Sequence, residues 1–197
     1  MIWYLLLRSD KTTDDVPYYI STKSDLDGFR WWNFAECKSI EAWRNRAWIQ
    51  SAATLQDSPP DDGLANDDGL LIFSKRMQQA LDAGGVGGIQ YLPIRILKSD
   101  GTEYQDYSIA NILNCPTALD RKRSQFSVFT ADDSEPEDVG RISSLLKAAL
   151  NQKALDGFHI IRLVDFLEAV YVSQHFVDFY TTKHLTGYLF SRVEVAD

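Results

Sequence analysis

The chain has 197 residues, of which 45 % are hydrophobic and 12 % aromatic. This composition can fill a sizeable core and excludes a disordered chain, and the length predicts a single domain spanning 1–197. The formal net charge of −8 argues against nucleic acid and membrane surfaces as partners and favours basic ones. No apolar run in the sequence approaches the roughly 18 residues that a membrane span needs.

The first 50 residues are predicted to contain two strands and one helix. Residues 1–8 carry an unbroken apolar run that is typical of a central strand, and residues 16–20 form a short strand between polar clusters. Ser39 is predicted to cap a helix that continues to Gln50. The tryptophan-rich segment 31–48 is expected to pack in the core rather than to form a ligand cage.

A strand end, a helix, a glycine break and a second strand are predicted within 71–96. Ser74 is the expected helix cap, because its hydroxyl can accept a bond from an amide of the first turn. The segment 170–195 repeats this plan at a constant offset of 99 residues, with Ser173 in the place of Ser74. Few positions are identical, so coincidence and duplication both stay open. If the similarity between the two segments is structural, their two helices should lie side by side on one sheet face.

Further elements complete an α+β fold. Strands are predicted at 103–114, 126–129 and 158–164, and the apolar stripe over 139–150 predicts the clearest helix of the chain. The expected architecture is a mixed or mainly antiparallel sheet with helices packed on it, including two similar helix–Gly–strand units.

The negative charge is concentrated in two loops, at about 54–69 and 130–138. Neither loop contains a basic residue, and without their ten acids the other 18 acids would face 20 lysines and arginines. Solvated acidic loops often serve solubility alone. The second interpretation is that these loops meet a basic partner.

No catalytic, metal or cofactor motif is apparent, so we expect no cofactor and no catalytic residue. The GGVGG run at 84–88 follows a helix instead of preceding one, which predicts a helix end and not a phosphate loop. The run 61–69 lacks the closing glutamate of a calcium loop. Metal-ligand spacing is lacking for all histidines and cysteines, which are His159, His175, His184, Cys37 and Cys115. The two cysteines are expected to be reduced thiols, with a single disulfide as the alternative.

Three segments resemble a family of small bacterial proteins. They are GLLIFSKRMQQAL (69–81), YSIANILNCPTALDRKRSQF (107–126) and IIRLVDFLEAVYVSQHF (160–176). The shared features include the IFS opening of the first helix, the QYLPI strand, the I-x-R-L strand and the VS opening of the last helix. On these motifs, roughly residues 69–195 are similar to the eleventh-named immunity-protein family of polymorphic toxin systems, formerly a domain of unknown function. The sequence departs from the pattern at 165–170, where proline is common.

The resemblance implies a cytoplasmic protein that binds and neutralises a toxin by protein–protein interaction, without catalysis of its own. The partner would be the cognate toxin, with a basic surface if the acidic loops rim the interface. The candidate partner-binding residues are then Asp61, Asp62, Asp67, Asp68, Asp132, Asp133, Glu135, Glu137 and Asp138. Two alternatives stay open: a structural subunit of a larger assembly, or an enzyme or small-molecule binder with a scattered site near Trp31, Trp32 and Tyr91.

Overall fold

The computed structural model describes residues 1–8, 19–51, 61–66, 68–98, 100–132 and 136–196. Within these ranges the chain is rich in strands and has two α-helices, α1 (Lys75–Ala83) and α2 (Gln174–Thr182). The strands are β1 (Trp3–Arg8), β2 (Tyr19–Asp25), β3 (Trp48–Ser51), β4 (Ile72–Ser74), β5 (Ile89–Leu97), β6 (Glu103–Ile112), β7 (Gln125–Val128), β8 (Ile142–Lys147), β9 (Ala149–Asn151), β10 (Ile160–Leu163), β11 (Phe166–Ser173) and β12 (Tyr188–Ala196). Short 3₁₀ turns occur at Trp31–Ala35 and Gln152–Leu155.

Two five-stranded mixed sheets replace the single sheet that the sequence predicted. Their strand orders are β10-β11-β1-β12-β9 and β2-β3-β5-β6-β4, and β7 pairs with β8 in a separate hairpin. β1 lies antiparallel between β11 and β12, with Tyr4 opposite Val172, which confirms its prediction as a central strand. β6 likewise lies antiparallel between β4 and β5, with Ser108 opposite Phe73. The pairs β3–β5 and β9–β12 are parallel.

The two helices pack side by side and bury one face each in a shared core. The prediction that Ser74 caps α1 is confirmed, since its hydroxyl accepts from the amide of Met77 at 3.1 Å. Met77 and Leu81 of α1 and Phe176 and Tyr180 of α2 are buried together with apolar residues from both sheets. Apolar burial of this kind contributes most of the stability of short helices, because nine residues are marginal alone. Neither helix in the described part of the chain is long and apolar enough to cross a membrane.

Polar side chains at the start of each helix reach the end of the other one. Arg76 at the start of α1 donates from Nη1 to the carbonyl oxygen of Lys183 at 3.1 Å. His175 at the start of α2 bonds through Nε2 to the carbonyl oxygen of Gly84 at 2.8 Å. A carbonyl only accepts, so this imidazole nitrogen carries the proton. The contacts place the helices antiparallel, with each positively polarised N-terminus beside the other helix's negatively polarised C-terminus.

The helix predicted over 139–150 is wrong. The segment forms β8 and β9, which pair with β7 and β12. Its apolar stripe does not face one core: Ile142 is 7 % exposed, whereas Leu146 is 78 % exposed. Pairing with neighbouring strands therefore determines the conformation, although the spacing of apolar residues suits a helix.

The helix predicted over 39–50 is also wrong. Backbone amides in this segment bond to a side chain from another part of the chain, because Asp27 Oδ2 accepts from Arg44 N at 2.9 Å and from Arg46 N at 3.2 Å. Amides that donate to a side chain do not form the i→i−4 backbone hydrogen bonds of an α-helix. The predicted strands at 103–114, 126–129 and 158–164 are confirmed as β6, β7 and β10.

A tryptophan-lined groove is the candidate binding site

A groove crosses the surface beside the 3₁₀ turn Trp31–Ala35. Its two halves have volumes of about 490 and 680 Å³ and share Trp31, Ala35 and Glu168. We call it the tryptophan groove. It is lined by Trp31, Trp32, Phe34, Ala35, Glu36, Asp68, Gly69, Leu70, Leu71, Ala110, Arg121, Phe129, Val139, Gly140, Arg141, Ile142, Ser143, Arg162, Val164, Asp165, Phe166, Leu167 and Glu168. These residues come from both five-stranded sheets, from β8 of the hairpin and from five connecting segments.

Two adjacent tryptophans form one wall of the groove. Trp31 and Trp32 are 46 % and 48 % exposed, and their rings meet edge to face with centroids 5.6 Å apart. The expectation that they lie in the core is therefore wrong. Phe34 on the same turn is 3 % exposed and anchors it to the core, where it packs edge to face against Trp43. The turn thus holds two large amphipathic rings toward solvent, the side chains that dominate protein interfaces.

The wider half of the groove adds apolar side chains to this wall. Val139 and Val164 are 45 % and 56 % exposed, and the half-buried Phe129 and Phe166 lie in the same lining. Exposed apolar groups gathered in one concave region are typical of sites that bind another molecule.

Two ion pairs lie at the border of the wider half. Arg121 Nη1 bonds to Asp165 Oδ1 at 2.8 Å, and Arg141 pairs with Asp138 three residues earlier. The arginine side chains are roughly half to two-thirds exposed, so solvent screens both pairs. They border the apolar lining with fixed charges of both signs.

Arg162 is the buried cation of the narrower half. It lies in β10 within an otherwise apolar run, and it is 5 % exposed. Its Nη1 donates to the carbonyl oxygens of Leu167 at 2.5 Å and Glu168 at 3.3 Å, and its Nε has no partner. Burial lowers the pKa of this guanidinium, which nevertheless stays charged at neutral pH. The sequence analysis missed Arg162, although a single charge in an apolar strand is a signal that could have drawn attention to it.

Two cysteines lie near Arg162. Cys37 and Cys115 are free thiols that are not joined in a disulfide, and Cys37 Sγ donates to the carbonyl oxygen of Ala35 at 3.7 Å. Burial, and then the Cys115 thiol, raises the pKa of Cys37 to about 12. A thiol with so high a pKa is a poor nucleophile, which disfavours a catalytic role. Among the described residues, no cluster of three or more histidines, cysteines, aspartates or glutamates could hold a metal ion.

The candidate acids occupy different environments. Asp68 is half-buried and lines the narrower half of the groove. Asp132 and Glu137 are exposed, and Asp138 is half-buried directly before the groove residue Val139. Asp61 is half-buried, and its carbonyl oxygen accepts from the Tyr107 hydroxyl at 2.9 Å. The remaining candidates Asp67, Asp133 and Glu135 lie outside the described residues.

Asp62 differs from the other candidates because its carboxylate is bonded inside the protein. It is 5 % exposed and accepts from the Ser74 hydroxyl at 2.6 Å and the Thr186 amide at 3.1 Å. It also forms an ion pair with Arg76. These bonds tie the start of α1 to the segment after α2. A carboxylate held in this way is not available to a partner, so we remove Asp62 from the candidate rim.

The comparison with known protein families matches residues 10–195 to the Immunity protein family (Imm11). The chain belongs to this family. The match covers nearly the whole chain and extends well before residue 69, where the resemblance from sequence motifs began. No curated protein matches this member of the immunity protein family.

Proposed function

We propose that this immunity protein neutralises a toxin by binding it, without catalysis of its own, and that the tryptophan groove is the contact surface. Family membership supports toxin neutralisation in general. The observation that carries the choice of surface is the pair of half-exposed, adjacent tryptophans held by a buried anchor. Tryptophan is among the side chains that contribute most binding energy when a partner covers them.

Acidic side chains adjoin the groove at two places and suggest the charge of the partner. Asp68 lines the narrower half, and Glu137 and Asp138 directly precede Val139 in the wider half. Acids around an interface accelerate association with a basic protein and discriminate against acidic ones. We therefore propose a cognate toxin with a basic surface, met in the cytoplasm of the cell that makes both proteins.

A small-molecule ligand is the second candidate, because the halves of the groove fall within the roughly 300–1,000 Å³ typical of ligand pockets. The alternative prediction of a small-molecule site near Trp31, Trp32 and Tyr91 does not fit this groove. Tyr91 packs against the core shared by the helices and does not line the groove. The exposed apolar lining and the flanking acids favour a protein partner.

We further propose that 71–96 and 170–195 are two similar helix–Gly–strand units of one domain, 1–197. Three observations support this proposal. The helices begin at Lys75 and Gln174, 99 residues apart. In each sheet an antiparallel strand lies between the strands before and after the helix. One core cluster contains both helices and strands of both sheets.

The contact surface is tested by truncating Trp31. Trp31→Ala should weaken binding to the product of the adjacent upstream gene by at least about 30-fold, because a covered tryptophan contributes about 2 kcal/mol or more. The matched control is Leu189→Ala, since Leu189 is 48 % exposed but lies on β12 outside the groove. Surface plasmon resonance with the immobilised immunity protein measures both. Equal affinities for the two variants would remove the groove from the proposal.

A further inference from the structure

We propose that Arg162 is the receptor for a single carboxylate side chain that the partner toxin inserts into the narrower half of the tryptophan groove. This inference rests on the proposed function and specifies its chemistry. A groove bordered by acids would then have a cation at its base. The partner would accordingly present an acidic side chain surrounded by a basic surface.

The first support is the missing counter-ion. No carboxylate of the described residues lies within ion-pair distance of Arg162, although seven other arginines and lysines of that part of the chain form such pairs. After burial, the groups that act on its pKa are the thiols of Cys37 and Cys115, and the Cys37 thiol, with a pKa of about 12, is uncharged at neutral pH. A buried cation without a counter-ion is costly and is rarely retained for stability alone.

The second support is the free hydrogen-bonding capacity of Arg162. Its Nη1 is held by the carbonyl oxygens of Leu167 and Glu168, which fixes the orientation of the guanidinium plane. Its Nε has no partner and the side chain lines the 490 Å³ half of the groove. A planar guanidinium with donors left over matches the two oxygens of a carboxylate. Residue 162 is also fixed through its backbone, since its amide donates to the carbonyl oxygen of Asn114 at 2.9 Å.

The third support concerns the type of anion. Asp68 and Glu168 line the same half of the groove and would repel a multiply charged anion such as phosphate. One carboxylate carries a single negative charge and is repelled less by these two acids than phosphate would be. Trp31 borders the same cavity with nearly half of its surface exposed. A protein chain entering past it would bury this ring, whereas a small anion would leave it exposed.

The test combines a variant with a direct probe of the guanidinium. Arg162→Met keeps the length and apolar stem of the side chain and should weaken binding to the product of the adjacent upstream gene by at least about 30-fold. The affinity of Arg162→Lys should lie between those of Arg162→Met and the wild type, because an ammonium keeps the positive charge but lacks the planar guanidinium that binds both carboxylate oxygens. Thermal unfolding controls for structure. A purely structural arginine would lower the melting temperature in both variants, whereas we expect Arg162→Met to be nearly as stable as the wild type.

Nuclear magnetic resonance of the wild-type protein makes the test independent of variant folding. The guanidinium N–H signal of Arg162, assigned by its absence in Arg162→Lys, should shift downfield when the complex forms and a carboxylate accepts a hydrogen bond from the guanidinium. Two control titrations use sodium acetate and inorganic phosphate alone. A complex that leaves this signal and the affinity of Arg162→Met unchanged overturns the carboxylate receptor and leaves the proposed function intact. The carboxylate receptor is also overturned if the Arg162 signal shifts with phosphate or acetate alone but does not shift in the complex with the toxin. Absence of any complex overturns the proposed function and the inference together.

Discussion

At the scale of single residues, Asp62 shows how an acidic residue can be structural inside an acidic segment. Its carboxylate joins Ser74, Arg76 and Thr186, and so links the two helix regions. The sequence could not reveal this role. Asp62 lies in a run of acids, and one of its partners is 124 residues away. Ser74 and Ser173, by contrast, were predictable as caps because each serine hydroxyl accepts from a backbone amide only three residues later.

Replacing Asp62 should destabilise the protein. We expect Asp62→Asn to lower the free energy of unfolding by about 2–3 kcal/mol. The change removes the negative charge of the carboxylate that pairs with Arg76 and accepts from the Thr186 amide. Urea denaturation followed by circular dichroism measures the effect. The control is Asp132→Asn on the exposed loop, which should change stability by less than about 0.5 kcal/mol. Equal effects at the two positions would refute the structural role of Asp62.

His159 should make stability depend on pH. Burial first, and then the charge of His175, lowers the pKa of His159; the two rings lie 4.3 Å apart. The unfolded chain, with its ordinary imidazole pKa of about 6.5, therefore binds a proton at higher pH than the folded protein does. Stability should be fully present above pH about 6.5 and decrease as the pH falls below that value.

The variant His159→Asn isolates this contribution, because an amide can still bond to the Ser173 hydroxyl but does not titrate. Its melting temperature should fall less than that of the wild type between pH 7 and 5. Parallel curves for the two proteins would show that His159 does not carry the pH dependence.

At the scale of elements, strands with strong local patterns were predictable and irregular connections were not. β1, β6, β7 and β10 coincide with predicted strands, since each carries a run of apolar or β-branched residues bounded by turns. The helices predicted at 39–50 and 139–150 failed for one common reason. Their conformation depends on partners elsewhere in the chain, such as Asp27 and the strands β7 and β12.

The place of β1 in its sheet predicts that the chain tolerates circular permutation. β1 lies between β11 and β12 as β6 lies between β4 and β5, and Trp3 is opposite Val193 near the end of β12. The start of β1 and the end of β12 are therefore neighbours. A permutant that joins Asp197 to Met1 through about six glycines and serines, and opens between Arg8 and Tyr19, should fold cooperatively.

Near-ultraviolet circular dichroism and urea denaturation compare this permutant with the wild type. The matched control uses the same linker but opens the chain inside β11, a central strand, and should fail to fold. Failure of the first permutant, or equal behaviour of the two, would contradict the equivalence of β1 and β6.

At the scale of the whole molecule, the family was accessible from sequence motifs and the proposed binding surface was not. The motifs are local, and the family match over 10–195 bears them out. The tryptophan groove instead gathers 31–36, 68–71, 139–143 and 162–168. These segments are distant in sequence and meet only because two sheets adjoin. Two of the predicted acids adjoin the groove, since Asp68 lines it and Asp138 directly precedes its residue Val139. Their role in partner binding stays a prediction.

The net charge of −8 and the acids beside the groove together predict salt-sensitive association with a basic partner. Screening lengths fall from about 30 Å at 0.01 M salt to about 8 Å at 0.15 M, so attraction between the surfaces weakens over this range. The effect should appear mainly in the association rate, because charge steers encounter more than it holds the final complex.

The most direct measurement is the affinity of the immunity protein for the product of the adjacent upstream gene, recorded at low and at moderate salt. We expect nanomolar binding whose association rate falls as salt is added, together with loss of that product's toxicity when both proteins are expressed in one cell. Absence of binding at both salt concentrations, with toxicity unchanged, would contradict the proposal that this chain neutralises that toxin through its groove.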